Sequence, residues 1–299
     1  MLATMRVGAV GAAVALIAVL AASTPAAAGP PDRDEVTTVA HRGASDDAPE
    51  NTLAAVEEGI AQGADLVEID LQRSSDGKLV VIHDTDLART TNAEEVFPDR
   101  APWNVGDFTF EELRTLDAGS WKGDQFAGEQ IPTLEEVLDT LAGSGTGLLL
   151  EVKSPELYPG LAQDVATALQ ERPRWWRSAP LAQRLIVQSF NWDFMAEFDE
   201  LAPHLTLGLL GRAEASELPD LAWADQINPS HTEINEDWVD AVHEHGFEVY
   251  VYTVNEPDDM RRAARIGVDG IISDRPALLR DVLDESGVNT HPGPPEGAT

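Results

Sequence analysis

Residues 65–83 read DLVEIDLQRSSDGKLVVIH, and this stretch decides how the strands of the chain can be arranged. It begins with a strand-like segment, turns at Asp76-Gly77, and continues with a second apolar strand that ends at His83. A hairpin about this turn would place the second strand antiparallel to the first and bring His83 opposite Glu68 and Asp70. We therefore expect the second strand to lie beside a sheet built by other strands.

Strand-like and amphipathic helical segments alternate along the rest of the chain. The alternation is typical of parallel strands joined by helices, and it predicts an α/β protein with a closed (β/α)8 barrel of the TIM type. An open doubly wound sheet is the alternative. The nine predicted strands exceed the eight of a barrel by one, and the hairpin accounts for the extra strand. Besides the two in the hairpin, the predicted strands are Val36–Arg42, Leu148–Lys153, Leu185–Ser189, Leu205–Leu210, Ala224–Asn228, Glu248–Thr253 and Gly270–Ser273.

The ends of the chain differ in composition from its middle. Arg6, the apolar run that follows it and Ala26-Ala27-Ala28 have the pattern of a secretory signal peptide at residues 1–28, which predicts a secreted protein; a retained N-terminal anchor is the alternative. We expect one domain over residues 36–285 and a disordered tail, rich in proline and glycine, over residues 286–299.

An aromatic-rich segment of weak periodicity, about residues 85–130, predicts an insertion after the His83-Asp84 strand. It is expected to form a small subdomain with its own apolar cluster. The same segment is also a candidate to cap the barrel mouth and shape the substrate pocket.

Charge and composition narrow the classes of function. The formal net charge of −33 disfavours binding to nucleic acid and to anionic membrane surfaces. The absence of cysteine from the 299 residues excludes disulfides and a lipid-modified cysteine. An anionic substrate would need a local positive site, and Lys153, one of only three lysines, lies close to a carboxylate in the sequence.

Charged residues at a spacing of two lie on two predicted strands. Glu68 and Asp70 flank Ile69, so both carboxylates point to the same face, and Glu151 and Lys153 repeat the spacing on a later strand. In a barrel these positions fall near the C-terminal rim, where active sites lie. Glu68, Asp70 and Glu151 would form an oxygen-rich site for a divalent cation, with Lys153 beside it as a phosphate-binding charge. An exposed strand face would give the same short patterns, so this interpretation depends on their combination.

Two histidines and an arginine border the same strands. His41 ends the first strand, Arg42 and Gly43 follow at the turn, and His83 ends the hairpin. A single histidine at a strand end is more often structural. Together with paired carboxylates and an arginine, however, the two histidines match an acid/base pair around a phosphate.

The segment Glu50-Asn51-Thr52 allows two interpretations. Thr52 or Asn51 can cap the helix that follows, which requires no catalytic role. Glu50 is a candidate to orient Arg42 or His41.

These motifs together resemble those of the glycerophosphodiester phosphodiesterase family, within the superfamily of phospholipase C-like phosphodiesterases. The resemblance extends from about Val36 to Leu279, and it is carried by the order and spacing of the motifs because each one is short. It implies a (β/α)8 barrel with a small insertion. The motifs are His41-Arg42-Gly43, Glu50-Asn51-Thr52, Glu68-Ile69-Asp70, His83-Asp84, Ile131–Glu136, Glu151-Val152-Lys153, Gln188-Ser189-Phe190 and Gly267–Pro276.

The resemblance also implies roles for individual residues. It implies His41 and His83 as the catalytic pair, Glu68, Asp70 and Glu151 as ligands of a divalent metal, Arg42 and Lys153 as the phosphate clamp, and Tyr252 as an aromatic wall where the family often has tryptophan. Ca²⁺ is favoured over Mg²⁺ as the cofactor, because it is abundant outside cells and tolerates irregular carboxylate sites.

We therefore expect a secreted, metal-dependent phosphodiesterase that hydrolyses glycerophosphodiesters to glycerol 3-phosphate and an alcohol. Its partner would be a small-molecule substrate, with no nucleic acid and no stable membrane association. One alternative is a phospholipase D-like enzyme of the sphingomyelinase D type, which would act on intact lipids. The other is a non-catalytic glycerophosphodiester-binding protein, whose mark would be the loss of a histidine or a metal ligand.

Two routes of attack on phosphorus are open. The glycerol 2-hydroxyl can attack through a 1,2-cyclic phosphate, a route that a histidine pair suits, or a metal-activated water can attack directly.

Overall fold

The computed structural model describes residues 35–172 and 185–288. The predicted signal peptide lies outside the described residues, as do residues 289–299 of the predicted tail. Nine strands in the described part of the chain form one sheet. They are β1 (Thr37–Ala40), β2 (Leu66–Arg73), β3 (Leu79–Val81), β4 (Gly147–Val152), β5 (Leu185–Ser189), β6 (Thr206–Leu210), β7 (Gln226–Asn228), β8 (Tyr250–Val251) and β9 (Gly270–Ser273).

All of these strands except β3 are parallel neighbours in a ring. The order is β7-β6-β5-β4-β2-β1-β9-β8. β7 and β8 meet at the ends of this path through two parallel bridges, which pair Gln226 with Glu248 and Ser230 with Tyr252. The ring is therefore a nearly closed barrel of eight parallel strands, which confirms the predicted (β/α)8 class over the open sheet.

Strand β3 lies outside the ring and pairs antiparallel with β2. Leu71 lies opposite Val81, and the Ile82 N–H donates to the Asp70 carbonyl at 2.9 Å. Gly77 allows the tight turn between them with φ of +88°. The predicted hairpin is thus present, and it returns the chain to the level of β2 that carries the site carboxylates.

Helices cover the outside of the ring. Between β6 and β7 the connection holds a short 3₁₀ helix, Leu218–Leu221, where the other barrel units with a described connection hold an α-helix. The α-helices that the structure describes are α1 (Leu53–Ala61), α2 (Ala93–Val96), α3 (Phe110–Leu113), α4 (Leu134–Leu141), α5 (Leu161–Gln170), α6 (Trp192–Leu201), α7 (Glu236–Glu244), α8 (Pro257–Arg265) and α9 (Pro276–Glu285).

Apolar side chains pack in two layers, inside the ring and between the ring and its helices. Along β2, Val67, Ile69 and Leu71 belong to the outer layer, so the alternation of the strand turns Glu68 and Asp70 inward. This alternation is the reason that both carboxylates are buried. The inner layer consists of Val39, Leu66, Leu149, Ile186, Tyr250 and Ile272.

The insertion packs on the hairpin and has an apolar cluster of its own. Val80 and Ile82 join this cluster from the hairpin side, and Phe97 packs against Phe108 with ring centroids 5.1 Å apart. The guanidinium of Arg100 lies 3.8 Å from the centre of the Phe108 ring. None of the helices that the structure describes, here or around the ring, is long and apolar enough to cross a membrane.

Candidate active site

A cavity of about 160 Å³ opens among the C-terminal ends of the barrel strands. In this architecture the strand ends and the loops after them form the active site. No residue of the insertion lines this cavity, and whether the insertion caps the barrel mouth stays a prediction. Seven of the eight predicted site residues line it: His41, Arg42, Glu68, His83, Glu151, Lys153 and Tyr252.

The carboxylates of Glu68, Asp70 and Glu151 converge at this cavity. One oxygen from each lies within 4.8 Å of the other two. Glu68 and Asp70 come from β2, and the register of β2 with β4 places Glu151 directly beside Asp70. Glu68 and Asp70 are each only 1% exposed. Buried carboxylates this close repel one another unless a proton or a cation lies between them.

Unpaired oxygens make this cluster suited to a hard divalent cation. Glu68 Oε1 and Asp70 Oδ1 are buried and accept no hydrogen bond from any residue that the structure describes. The second oxygen of each is held in place: Glu68 Oε2 accepts from the Arg42 N–H, and Asp70 Oδ2 from Asn51 Nδ2, both at 2.8 Å. Carboxylate oxygens are the ligands that Ca²⁺ and Mg²⁺ prefer, so the donor set fits such an ion.

Without a cation, two carboxylates of the cluster bind a proton more tightly than an exposed glutamate does. Burial raises the pKa of Glu68 well above its usual value, and the neighbouring charges of Asp70 and Glu151 raise it further. Burial also raises the pKa of Glu151 to about 7, reinforced by Asp70 and opposed by Lys153. A bound cation would replace these protons.

Arg42 projects into the cavity from the turn after β1. Its backbone is left-handed, with φ of 56°, and Gly43 follows with φ of 81°. Its Nη1 donates to Glu50 Oε1 at 2.8 Å, and its Nε lies 3.2 Å from Asp70 Oδ2. Glu50 therefore orients Arg42, one of the two roles considered from the sequence.

Lys153 links the acidic cluster to the histidines. Its Nζ lies 2.5 Å from Glu151 Oε1, 3.8 Å from Asp70 Oδ1 and 3.2 Å from His83 Nε2. Its ammonium also lies 5.6 Å from the centre of the Phe190 ring. The ammonium is thus placed among the carboxylates and open to the cavity.

His83 is held by the carboxylate next to it in the sequence. Its Nδ1 lies 2.6 Å from Asp84 Oδ1, and its Nε2 faces Lys153. Because the lysine ammonium can only donate, Nε2 accepts, which makes Nδ1 the protonated nitrogen of a neutral ring. Burial lowers the pKa of His83, although Asp70 and Asp84 oppose this effect.

His41 has the same arrangement with a carboxylate from the other end of the domain. Its Nδ1 lies 2.6 Å from Asp274 Oδ1, in the turn after β9. Burial raises the pKa of Asp274, but hydrogen bonds from His41, Ser45 and Asn255 outweigh it and lower the pKa to about 2. Asp274 is therefore ionised at neutral pH and holds the imidazole of His41 through Nδ1.

Two aromatic side chains form a wall of the cavity. Phe190 and Tyr252 meet edge to face, with ring centroids 5.9 Å apart. Phe190 is 55% exposed, which is unusual for a large apolar side chain. The wall is therefore accessible to a ligand.

Several supporting residues were not among the predicted site residues. Asn51 donates to the Asp70 carboxylate and accepts from the Asp70 N–H at 3.0 Å, whereas Thr52 caps α1. Asp274 and Asp84 orient the histidines, although both lie in motifs recognised in the sequence. Arg89 contacts Glu50 and Asp84 and belongs to no predicted strand or helix.

The fold and the site together define a class: a (β/α)8 barrel whose C-terminal rim brings together a buried acidic cluster that could hold a divalent cation, two cationic side chains and two imidazoles. The model of the glycerophosphoryl diester phosphodiesterase family matches residues 41–278. The chain belongs to this family and is an enzyme of it.

Individual relatives agree with this assignment. The chain is 37% identical to a glycerophosphodiester phosphodiesterase from Caldanaerobacter subterraneus, over 83% of this chain and 98% of the relative. It is 35% identical to one from Bacillus subtilis, over 83% and 87% respectively.

Solved structures of similar proteins share the fold. A phosphodiesterase from Oleispira antarctica, in complex with the product sn-glycerol-3-phosphate, has a TM-score of 0.72 and 30% identity, with 83% of this chain and 96% of that chain covered. A glycerophosphodiester phosphodiesterase from Agrobacterium tumefaciens has a TM-score of 0.67 and 30% identity, with 82% and 99% covered.

Proposed function

We propose that this protein hydrolyses glycerophosphodiesters to glycerol 3-phosphate and an alcohol, with a divalent cation and a pair of histidines. The observation that carries the proposal is the convergence of three carboxylates, two cationic side chains and two imidazoles on one cavity of about 160 Å³. A similar structure binds sn-glycerol-3-phosphate as its product, and the small volume suits the glycerol phosphate half of such a substrate.

Glu68, Asp70 and Glu151 would hold the cation, for which we propose Ca²⁺ in preference to Mg²⁺. When bound, the ion supplies positive charge next to the ester and neutralises charge that develops on its oxygens. Arg42 and Lys153 would bind the phosphate from the protein side. Lys153 would then exchange its contact with His83 for a phosphate oxygen and release the Nε2 lone pair.

His83 takes the role of base and His41 that of acid. A neutral imidazole with a free lone pair accepts a proton, and the lowered pKa of His83 keeps the ring in that form at neutral pH. We propose that the proton comes from the glycerol 2-hydroxyl, whose oxygen forms a bond to phosphorus. The bond from phosphorus to the headgroup oxygen breaks, and the leaving alcohol takes a proton from His41. In the second step the oxygen of a water bonds to phosphorus and gives a proton to His41, the bond from phosphorus to the 2-oxygen breaks, and His83 returns its proton to that oxygen, which yields glycerol 3-phosphate.

We also propose that the protein acts outside the cytoplasm, after removal of residues 1–28. The support for this location is the signal-peptide pattern of the sequence. The net charge of −33 supports a small, soluble substrate in preference to an anionic bilayer.

One assay tests the proposed function directly. Purified protein is incubated with a panel of glycerophosphodiesters and with intact phospholipids, in the presence of Ca²⁺, of Mg²⁺ or of excess chelator. We expect glycerol 3-phosphate from the diesters only, and no turnover in chelator. Full activity in chelator would refute the requirement for a metal ion. Preferential cleavage of intact lipids would favour the phospholipase D-like alternative.

A 2-deoxy substrate separates the two routes of attack. If the 2-hydroxyl is the nucleophile, an analogue that carries hydrogen at this position binds but is not cleaved. Cleavage at a rate close to that of the parent substrate would refute the cyclic route and favour attack by water.

A further inference from the structure

Arg89 of the insertion joins two charged groups that the active site needs. Its Nε donates to Asp84 Oδ2 at 2.5 Å, and its Nη1 and Nη2 donate to the two oxygens of Glu50 at 2.8 and 2.7 Å. Asp84 holds His83 at 2.6 Å, and Glu50 holds Arg42 at 2.8 Å. A continuous chain of charge-assisted hydrogen bonds thus runs from His83 to Arg42 through Arg89.

The geometry requires a guanidinium at the centre of this chain. Arg89 uses one edge for Glu50 with two parallel bonds and a third nitrogen for Asp84, which a single ammonium group cannot reproduce. Glu50 is 12% exposed, so its position depends on its two arginine partners more than on water. Among the residues that the structure describes, the Asp84 carboxylate would without Arg89 keep only His83 as a hydrogen-bond partner, and the Glu50 carboxylate only Arg42.

We propose that Arg89 is a positioning residue through which the insertion sets both the orientation of His83 and the placement of Arg42. The two effects are separable. The branch through Asp84 bears on proton transfer and therefore on kcat, whereas the branch through Glu50 bears on phosphate binding and therefore on KM. This inference rests on the proposed function, because turnover and substrate affinity are its readouts.

A matched pair of arginines in the insertion provides the test. Arg100 also pairs with a carboxylate, Glu112 at 2.6 Å, and lies on the Phe108 ring, but it contacts none of the site residues. We compare Arg89→Met, Arg89→Lys and Arg100→Met for kcat, KM and melting temperature with a glycerophosphodiester. Arg89→Met is expected to lower kcat/KM about 10- to 100-fold, because small displacements of catalytic groups have effects of this size. Arg89→Lys should recover part of this loss, and Arg100→Met should match the wild type.

Double variants show which kinetic constant each branch affects. In an Asp84→Asn background, Arg89→Met should change mainly KM, and in a Glu50→Gln background it should change mainly kcat. Kinetic constants of Arg89→Met equal to those of Arg100→Met would overturn the inference, even if the melting temperature fell. If Arg89→Met does not fold, Arg89→Lys decides, since unchanged kcat and KM in that variant would also overturn it. An inactive wild type would overturn the proposed function and, with it, the inference. An active wild type whose kinetic constants are unchanged in Arg89→Met would overturn the inference alone.

Discussion

At the scale of single residues, the two histidines share one arrangement, an Nδ1 next to a carboxylate, but the two carboxylates come from different parts of the chain. His83 receives its carboxylate from the next residue, whereas His41 receives Asp274 from a position 233 residues away. Both carboxylates bind Nδ1, so Nε2 is the nitrogen left for substrate on each ring. Both rings can therefore present Nε2 to the cavity, as the proposed acid and base on one phosphorus require.

Removal of either imidazole tests this assignment. His83→Asn and His41→Asn should each lower kcat about 100- to 10,000-fold, the usual contribution of a positioned acid or base, with Ca²⁺ affinity and melting temperature little changed. Steady-state kinetics, calorimetric titration with Ca²⁺ and thermal denaturation measure these three quantities. His243→Asn is the control, because His243 pairs with Asp269 before β9, at the opposite end of the barrel. A kcat of His83→Asn near that of this control would contradict the catalytic role of His83 and with it the placement of this residue by the hairpin.

In the absence of a metal, the acidic cluster should make the protein less stable as the pH rises. The pKa of Glu151 is about 7 in the folded protein, above that of an unfolded glutamate, so folding binds a proton between these values. The contribution of Glu151 to stability is therefore fully present below pH of about 4.5 and is lost as the pH rises through about 7. In chelator, the melting temperature should fall between pH 5 and pH 8.

Two comparisons test whether the acidic cluster causes this slope, the decrease of the melting temperature with pH. Glu151→Gln should flatten it, because the amide does not titrate, although other buried carboxyls such as Glu248 also have a raised pKa and keep part of it. Saturating Ca²⁺ should raise the melting temperature most at pH 8, where the cluster is ionised. A wild-type slope in chelator that is identical to the slope of Glu151→Gln would exclude this cause.

At the scale of elements, the turn from β1 to α1 depends on one glycine. Gly43 has φ of +81°, and a Cβ there would lie 2.4 Å from the carbonyl carbon of Ala55 in α1. Those atoms are backbone and cannot move aside. The turn therefore packs closely on α1, and Arg42, which precedes Gly43 in a left-handed conformation, lines the cavity.

Gly43→Ala is expected to lower the free energy of unfolding by about 3 kcal/mol, since strain and overpacking add. It should also lower kcat/KM, because the turn carries His41 and Arg42. Gly77→Ala is the matched control: Gly77 has φ of +88°, but nothing lies within 4 Å of its Cβ position. That variant should lose about 1 kcal/mol and keep full activity. Urea denaturation and kinetics distinguish the two, and equal losses would argue against the close packing.

Local features of the strands and turns could be predicted from the sequence, whereas contacts between distant elements could not. The Asp76-Gly77 turn predicted the β2–β3 hairpin, and the spacing of two predicted that Glu68 and Asp70 share a face, because both features are local. Contacts that depend on closure of the ring could not be found in this way. Asp274 meets His41 only because β9 pairs with β1, and Arg89 lies in a segment without periodicity.

At the scale of the whole molecule, charge opposes compactness. The net charge is −33, and the excess acidic side chains repel one another more strongly in the folded state than in the expanded unfolded state. We expect the urea midpoint at pH 7.5 to rise between 10 and 150 mM NaCl, because a Debye length of about 8 Å screens this repulsion. Near the sequence pI of about 4.3 the same salt increment should have little effect. A midpoint at pH 7.5 that falls with salt would show that ion pairs outweigh repulsion.

The bridged contact between β7 and β8 is the weakest link of the ring, since β8 has only two residues and meets β7 through two single bridges. In the ring order, this contact lies across the barrel from β2 and β4, which carry the acidic cluster. Amide hydrogens there should exchange with solvent earliest among the strands. Tyr252 lies at this contact, so local opening would widen the aromatic side of the pocket while the side that carries the acidic cluster stays paired. Tyr252 and the acidic cluster therefore lie on opposite halves of one ring, one at its least paired contact and the other on continuously paired strands.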